Sequence, residues 1–171
     1  LHSFPTLRSS CFLAKKILKI FFFIFYQYFL YKKLIASADK QLSAIAEKSL
    51  KEVTYHLRWS SEWVIRLGDG TNESHNRIIK ALDEMWNYTG EIFISADYEL
   101  QAANDKVGVD VRSLKDDWDK KVKEVFTEAT LNVPQNSWMQ NGGKEGLHTE
   151  HLGYILADMQ VLQRAYPGCE L

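Results

Sequence analysis

The sequence predicts an all-α chain, a bundle of helices. Two observations carry this. From Asp39 onward the apolar residues recur at spacings of three, four and seven, and no stretch keeps the period-two alternation of a strand. The 171 residues, 46% hydrophobic and 13% aromatic, are ample for one packed core.

The helices come in order along the chain. Residues before Ser37 include Ile20 to Tyr31, "IFFFIFYQYFLY", an uncharged run bounded by Lys19 and Lys32. It is shorter than the roughly 20 apolar residues a spanning helix needs, and it imitates a signal peptide except that Lys32-Lys33 stand before the Ala36-Ser37-Ala38 site. Leu42, Ala46, Leu50, Val53, Leu57, Val64 and Leu67 form the stripe of the next helix, which stops at Gly68 or Gly70. A third helix is expected from Asn72 or Ser74 to Ala96, with Ile79, Leu82, Trp86, Thr89 and Phe93 inward. After a loop at 104–109, Asp110 or Ser113 opens a fourth, carrying Val111, Leu114, Trp118, Val122, Val125 and Ala129. Residues 131–146 read as a long connection holding Pro134 and Gly142-Gly143, of a length that suggests a working loop. The last helix spans about Thr149 to Tyr166 and ends at Pro167-Gly168. That makes five helices.

Charge is uneven. Residues 1–38 hold six Lys/Arg and no acid, leaving 15 of the 21 basic residues against all 22 acidic ones, a net charge of −7 for the remainder. Such a body lacks the clustered basic footprint of nucleic-acid binding. Cys11 and Cys169 form neither a disulfide framework nor a zinc half-site, which suits a reducing cytoplasm. The chain begins at Leu1, and "LHSFPTLRSS" shares neither the periodicity nor the composition of the rest. The expectation is a fragment in which residues 1–35 stand apart, at least the first ten of them non-native, and residues 36–171 form a helical domain.

Two segments carry candidate chemistry. In "GLHTEHLGYILADMQ", His148 and His151 are three apart and share a helix face, but Glu150 points away and serves better as a first-turn carboxylate at the helix dipole. The zinc-deaminase pattern fails because no P-C-x-x-C comes after His148-Thr149-Glu150. HExxH is absent, and "NGGKEG" lacks the GxxxxGK of a phosphate loop. In "KEVTYHLRWSSEW", Glu52, His56, Trp59 and Trp63 make a second stripe beside the aliphatic one, so this helix is expected to be buried over a broad arc. Di-iron bundles use Glu-x-x-His, two ligands aimed at one metal pair. Here Tyr55 holds the third place after Glu52, and His56 comes one residue late, turned by about 100°. A Glu52 satisfied by Tyr55, His56 or Arg58 is the simpler reading.

The segments 41–71, "EATLNVP", and "GGKEGLHTEHLGYILADMQVLQRAYPG" resemble the C subunit of bacterial ring 1,2-phenylacetyl-CoA epoxidase from about Ala36 to Gly168. The resemblance implies a ferritin-like antiparallel helical bundle, here partial, with its first two helices missing. It implies a subunit without a cofactor of its own, in which Glu52, Tyr55 and His56 are degenerate ligand positions. Its partners would be a catalytic A subunit holding the di-iron centre, in a hetero-oligomer, and a reductase carrying FAD and iron–sulfur. The complex so implied is cytoplasmic and epoxidises the ring of phenylacetyl-CoA with oxygen and NADPH-derived electrons; neither nucleic acid nor membrane takes part. Trp138, Lys144, His148 and His151 are the candidate partner-binding residues, with Trp59 and Trp63 as further aromatic candidates. The competing enzyme reading makes the chain a di-iron oxygenase subunit in its own right, with Glu52 and His56 as ligands. A third reading uses Ile20 to Tyr31 to associate with a membrane. Without two helices, the Leu42 to Leu67 stripe would face water and promote aggregation.

Overall fold

The structure, a computed structural model, describes residues 6–135 and 137–168. It is helical throughout, with no strand among the described residues. Contacts divide the chain into two units, residues 1–140 and 141–171.

The first unit is organised on α1 (Thr6–Leu34), a helix free of glycine and proline that ends on Lys32 and Lys33, cations suited to the negative end of the dipole. The connection 35–39 turns the chain back into α2 (Lys40–Gly68). Asp39 caps α2, its carboxylate accepting from the Gln41 and Leu42 amides at 2.8 and 3.1 Å. Ala14, near the start of α1, and Leu67, near the end of α2, line one surface hollow, so the two helices run antiparallel. The turn between them is tied to the 104–109 loop: the Ser37 hydroxyl donates to the Val107 carbonyl at 2.7 Å, and the Ala38 amide to that of Lys106 at 2.8 Å. Next come α3 (Asn72–Met85), α4 (Asp97–Asn104) and α5 (Lys115–Glu128). Helices α1 and α2 pack on each other, and both pack on α3 and α5.

Several expectations need correction. The helix expected to reach Ala96 ends at Met85 and is followed by two 3₁₀ turns, Trp86–Tyr88 and Glu91–Phe93. Here the Thr89 hydroxyl donates to the Trp86 carbonyl (2.8 Å), Gly90 comes next, and Ile94 is extended. Trp86, Thr89 and Phe93 are nevertheless buried as expected; Ile79 is exposed, and its neighbour Ile78 takes the inward place. The short α4 had no counterpart in the expected helices. The cap of α3 is Thr71, accepting from the Ser74 amide at 3.2 Å, rather than Asn72 or Ser74. Asp110 does open its element, accepting from the Arg112 amide at 3.0 Å, but the first turn, Val111–Leu114, is 3₁₀ before α5 begins. Among the described residues there are six α-helices where five were expected.

The N-terminal helix supplies much of the core. Phe21, Phe22, Phe25 and Phe29 of α1 are buried and form the aromatic centre of the unit. Phe21 stacks on Phe126 (5.9 Å between centroids), and Phe22 meets Trp86 edge-on (5.7 Å) and Trp118 (5.8 Å). The Trp118 indole N–H donates to the Phe22 carbonyl at 3.1 Å, so α5 is joined to α1 by a buried polar contact as well as by packing. The α2 stripe therefore does not face water. Ala46, Val53 and Val64 are buried and Leu42, Leu50, Leu57 and Leu67 half-buried, because α1 packs along α2. No helix among the described residues is long and apolar enough to cross a membrane. Four phenylalanines of the Ile20 to Tyr31 run, Phe21, Phe22, Phe25 and Phe29, face the protein's own core, and Ile20 and Phe23 are exposed.

The second unit is a turn and a helix. Gly142 (φ 84°) and Gly146 (φ 89°) adopt the left-handed conformation that glycine tolerates. The Glu145 and Leu147 amides both donate to the Gly142 carbonyl at 2.9 Å, closing a tight turn over 142–147. Helix α6 (Glu150–Ala165) comes after it. Thr149 occupies its cap position without a side-chain hydrogen bond, and Glu150 lies in the first turn as expected. No residue of α6 is buried.

Candidate functional site

The residues that favour a metal on sequence lie on α2. Its buried line is Ala46, Val53, Ser60, Val64 and Gly68. At about 100° per residue, Glu52, His56, Trp59 and Trp63 sit about 60–120° to one side of Val53. The broad buried arc expected for them does not form. Glu52 and His56 are exposed, Tyr55 is 66% exposed, and only the long ring systems of Trp59 and Trp63 reach the core edge, half-buried. The physical reason is that α1, α3 and α5 cover one side of α2 within this unit, and the Glu52–His56 edge lies outside that cover.

Local contacts on this edge are those of a solvated helix face. Tyr55 and His56 meet edge-on at 5.4 Å, Trp59 and Trp63 lie 6.2 Å apart, and the Arg66 guanidinium sits 5.8 Å from the Trp63 ring. Arg58, a possible partner for Glu52 on sequence, bonds Glu62 at 3.0 Å instead. Among the described residues, no three His, Cys, Asp or Glu side chains come close enough to hold a metal ion.

The partner-binding candidates fall in both units. Trp138 belongs to the first and is 69% exposed, an unusual setting for so large an apolar surface. Its neighbour Met139 packs against Gly90, and the Gln140 amide donates to the Asn87 carbonyl at 2.8 Å, so the segment bearing Trp138 is anchored. Lys144, His148 and His151 belong to the second unit. Lys144 is half-buried within the glycine turn; His148 and His151 are exposed, with the His151 ring 6.5 Å from Tyr154. Along α6, Tyr154, Ile155, Leu156, Met159, Val161, Leu162 and Tyr166 are all exposed. The helical spacing predicts an inward side made of Leu152, Ile155, Leu156, Met159, Leu162 and Tyr166; of these Leu152 is half-buried and the other five are exposed.

Electrostatics are perturbed elsewhere. Arg112 holds the Asp110 carboxyl well below the usual carboxylate range through a bidentate pair (2.8–3.1 Å), outweighing partial desolvation; the Arg112 amide and the Ser95 hydroxyl assist. Burial pushes the Tyr26 phenol up to about 12, with the Glu99 and Tyr98 charges adding. Both are structural positions, at an element start and beside Phe93.

These features define a class: an all-helical bundle that presents aromatic and apolar surface, without clustered metal donors among the described residues. The chain belongs to the Phenylacetic acid catabolic protein family, whose pattern matches residues 13–170 and so takes in most of α1 as well as α6. It is 45% identical over 139 residues to the C subunit of 1,2-phenylacetyl-CoA epoxidase from Escherichia coli (strain K12). That alignment covers 81% of this chain and 56% of the relative's length.

Proposed function

We propose that the chain serves as a non-catalytic, structural subunit of a multicomponent phenylacetyl-CoA 1,2-epoxidase, in aerobic phenylacetate breakdown in the cytoplasm. The observation that carries this reading is the 45% identity to a protein named as the C subunit of that epoxidase. In this reading the di-iron centre belongs to a catalytic A subunit, and FAD and iron–sulfur belong to a reductase. This chain contributes shape and contact surface. The exposed positions of Glu52, Tyr55 and His56 support a scaffold rather than an iron site. Trp138, Lys144, His148 and His151 supply the contacts, since exposed aromatic side chains are characteristic anchors of protein interfaces.

Co-expression with an A-type subunit tests the proposal. Stoichiometric co-purification is expected, with iron in the complex that is unchanged by Glu52→Ala. Trp138→Ala is expected to weaken assembly about tenfold or more, as an aromatic anchor does. Iron held by this chain alone and lost in Glu52→Ala would overturn the reading in favour of a di-iron subunit in its own right.

A further inference from the structure

One line of α2 stays outside the core it borders. Ile45, Ser49, Glu52, His56, Trp59 and Trp63 follow one another at alternating steps of four and three, the spacing of a two-helix seam. The line runs for about 27 Å at about 1.5 Å per residue. Ile45 is 52% exposed, Glu52 and His56 are exposed, and Ser49, Trp59 and Trp63 are half-buried. On one flank lie Ala46, Val53 and Ser60, which are buried in the first unit. On the other flank stand Lys48, Tyr55 and Glu62, all exposed.

The seam is complementary to itself read backwards. In an antiparallel pair about a two-fold axis at Thr54, Ile45 comes opposite Trp63 of a second copy, Ser49 opposite Trp59, and Glu52 opposite His56. The small hydroxyl leaves room for one indole, the aliphatic chain packs on the other, and the carboxylate accepts from the imidazole, each contact occurring twice. On the flank Lys48 meets Glu62 and Tyr55 meets its own counterpart. Glu62 already pairs with Arg58 along the helix at 3.0 Å through one oxygen, and its second oxygen can take the lysine. A parallel pair would instead set Glu52 against Glu52 and Glu62 against Glu62, so charge selects the antiparallel direction. We infer that the edge of α2 from Ile45 to Trp63 is a docking surface for a second copy of this chain, with the two Glu52–His56 contacts fixing the register. The inference goes beyond the subunit role and rests on no part of it, so either can fail without the other.

Sedimentation equilibrium of the 171-residue chain tests it. A monomer–dimer equilibrium is expected with Kd on the order of 10 μM, as suits a small interface with a polar centre. His56→Glu sets carboxylates face to face and should weaken the dimer about tenfold. Adding Glu52→Lys should restore it by pairing opposite charges again, and circular dichroism checks that each variant keeps its helix content. Orientation is read by a short bismaleimide in a chain carrying Cys11→Ser and Cys169→Ser. Tyr55→Cys should cross-link to itself, and Lys48→Cys only to Glu62→Cys. A chain that stays monomeric overturns the inference, even if an A-type subunit then protects the edge, since the surface would belong to that partner. So does a dimer indifferent to His56→Glu, or one in which Lys48→Cys cross-links to itself.

Discussion

If α1 is the centre of the core, truncating one of its buried rings must cost as much as a core substitution anywhere. Phe21 is fully buried and stacks on Phe126, whereas Phe23, two residues on, is 52% exposed. Phe21→Ala removes on the order of 100 Å² of buried apolar surface, about 2.5 kcal/mol at the usual 25 cal/mol/Å². The Phe126 stack adds about 0.5–1.5 kcal/mol, and the cavity left behind brings the total into the roughly 3–5 kcal/mol range seen for buried Phe→Ala. Against a domain stability of about 5–15 kcal/mol this is a large fraction, and it lowers Tm by on the order of 10 °C for a chain of this length. Phe23→Ala is the matched control, expected to cost well under about 1 kcal/mol. Urea unfolding of both variants followed by circular dichroism, with thermal scans alongside, measures the difference. Equal midpoints for Phe21→Ala and Phe23→Ala would refute the reasoning, because α1 would then be an appendage to a core formed without it.

Three further outcomes are expected from the same structure. A Cβ on Gly68 would lie 2.2 Å from the Ala129 carbonyl oxygen and 2.9 Å from its Cβ, so Gly68→Ala should cost about 1–3 kcal/mol by urea midpoint. The Asp110 pKa is lower in the folded chain than in the unfolded one; its contribution is present above about pH 4, the unfolded value, and lost as pH falls below it. Stability measured from about pH 5 to about pH 2 should therefore decline less steeply in Asp110→Asn. Tyr26 is shifted the other way, from 10.0 to about 12, so its contribution is complete below about pH 10 and lost as pH rises towards 12. Alkaline unfolding curves of Tyr26→Phe should accordingly lose part of their pH dependence in that window.

The candidate site was partly legible. The departure from Glu-x-x-His could be read from the order of Glu52, Tyr55 and His56, since a helix fixes the angle between neighbouring side chains. Their exposure could not, because periodicity shows which residues share a face without showing how much of the helix its neighbours cover. Trp59 and Trp63 illustrate this: they belong to the same side stripe as Glu52, yet only they reach the core edge.

By itself the sequence determined the all-helical class, the aliphatic stripe of α2, the inward residues of α5 other than Phe126, the glycines of the turn before α6 and the family resemblance. These depend on local spacing, and 3.6 residues per turn makes local spacing readable. Only the tertiary structure decided that the aromatic run of α1 is the core, that the helix after Thr71 breaks at Met85, and that α6 buries none of its apolar residues. Each of those outcomes turns on which surfaces meet. An uncharged run of phenylalanines satisfies a membrane, a leader or a protein interior equally well until Phe126, Trp86 and Trp118 close around it.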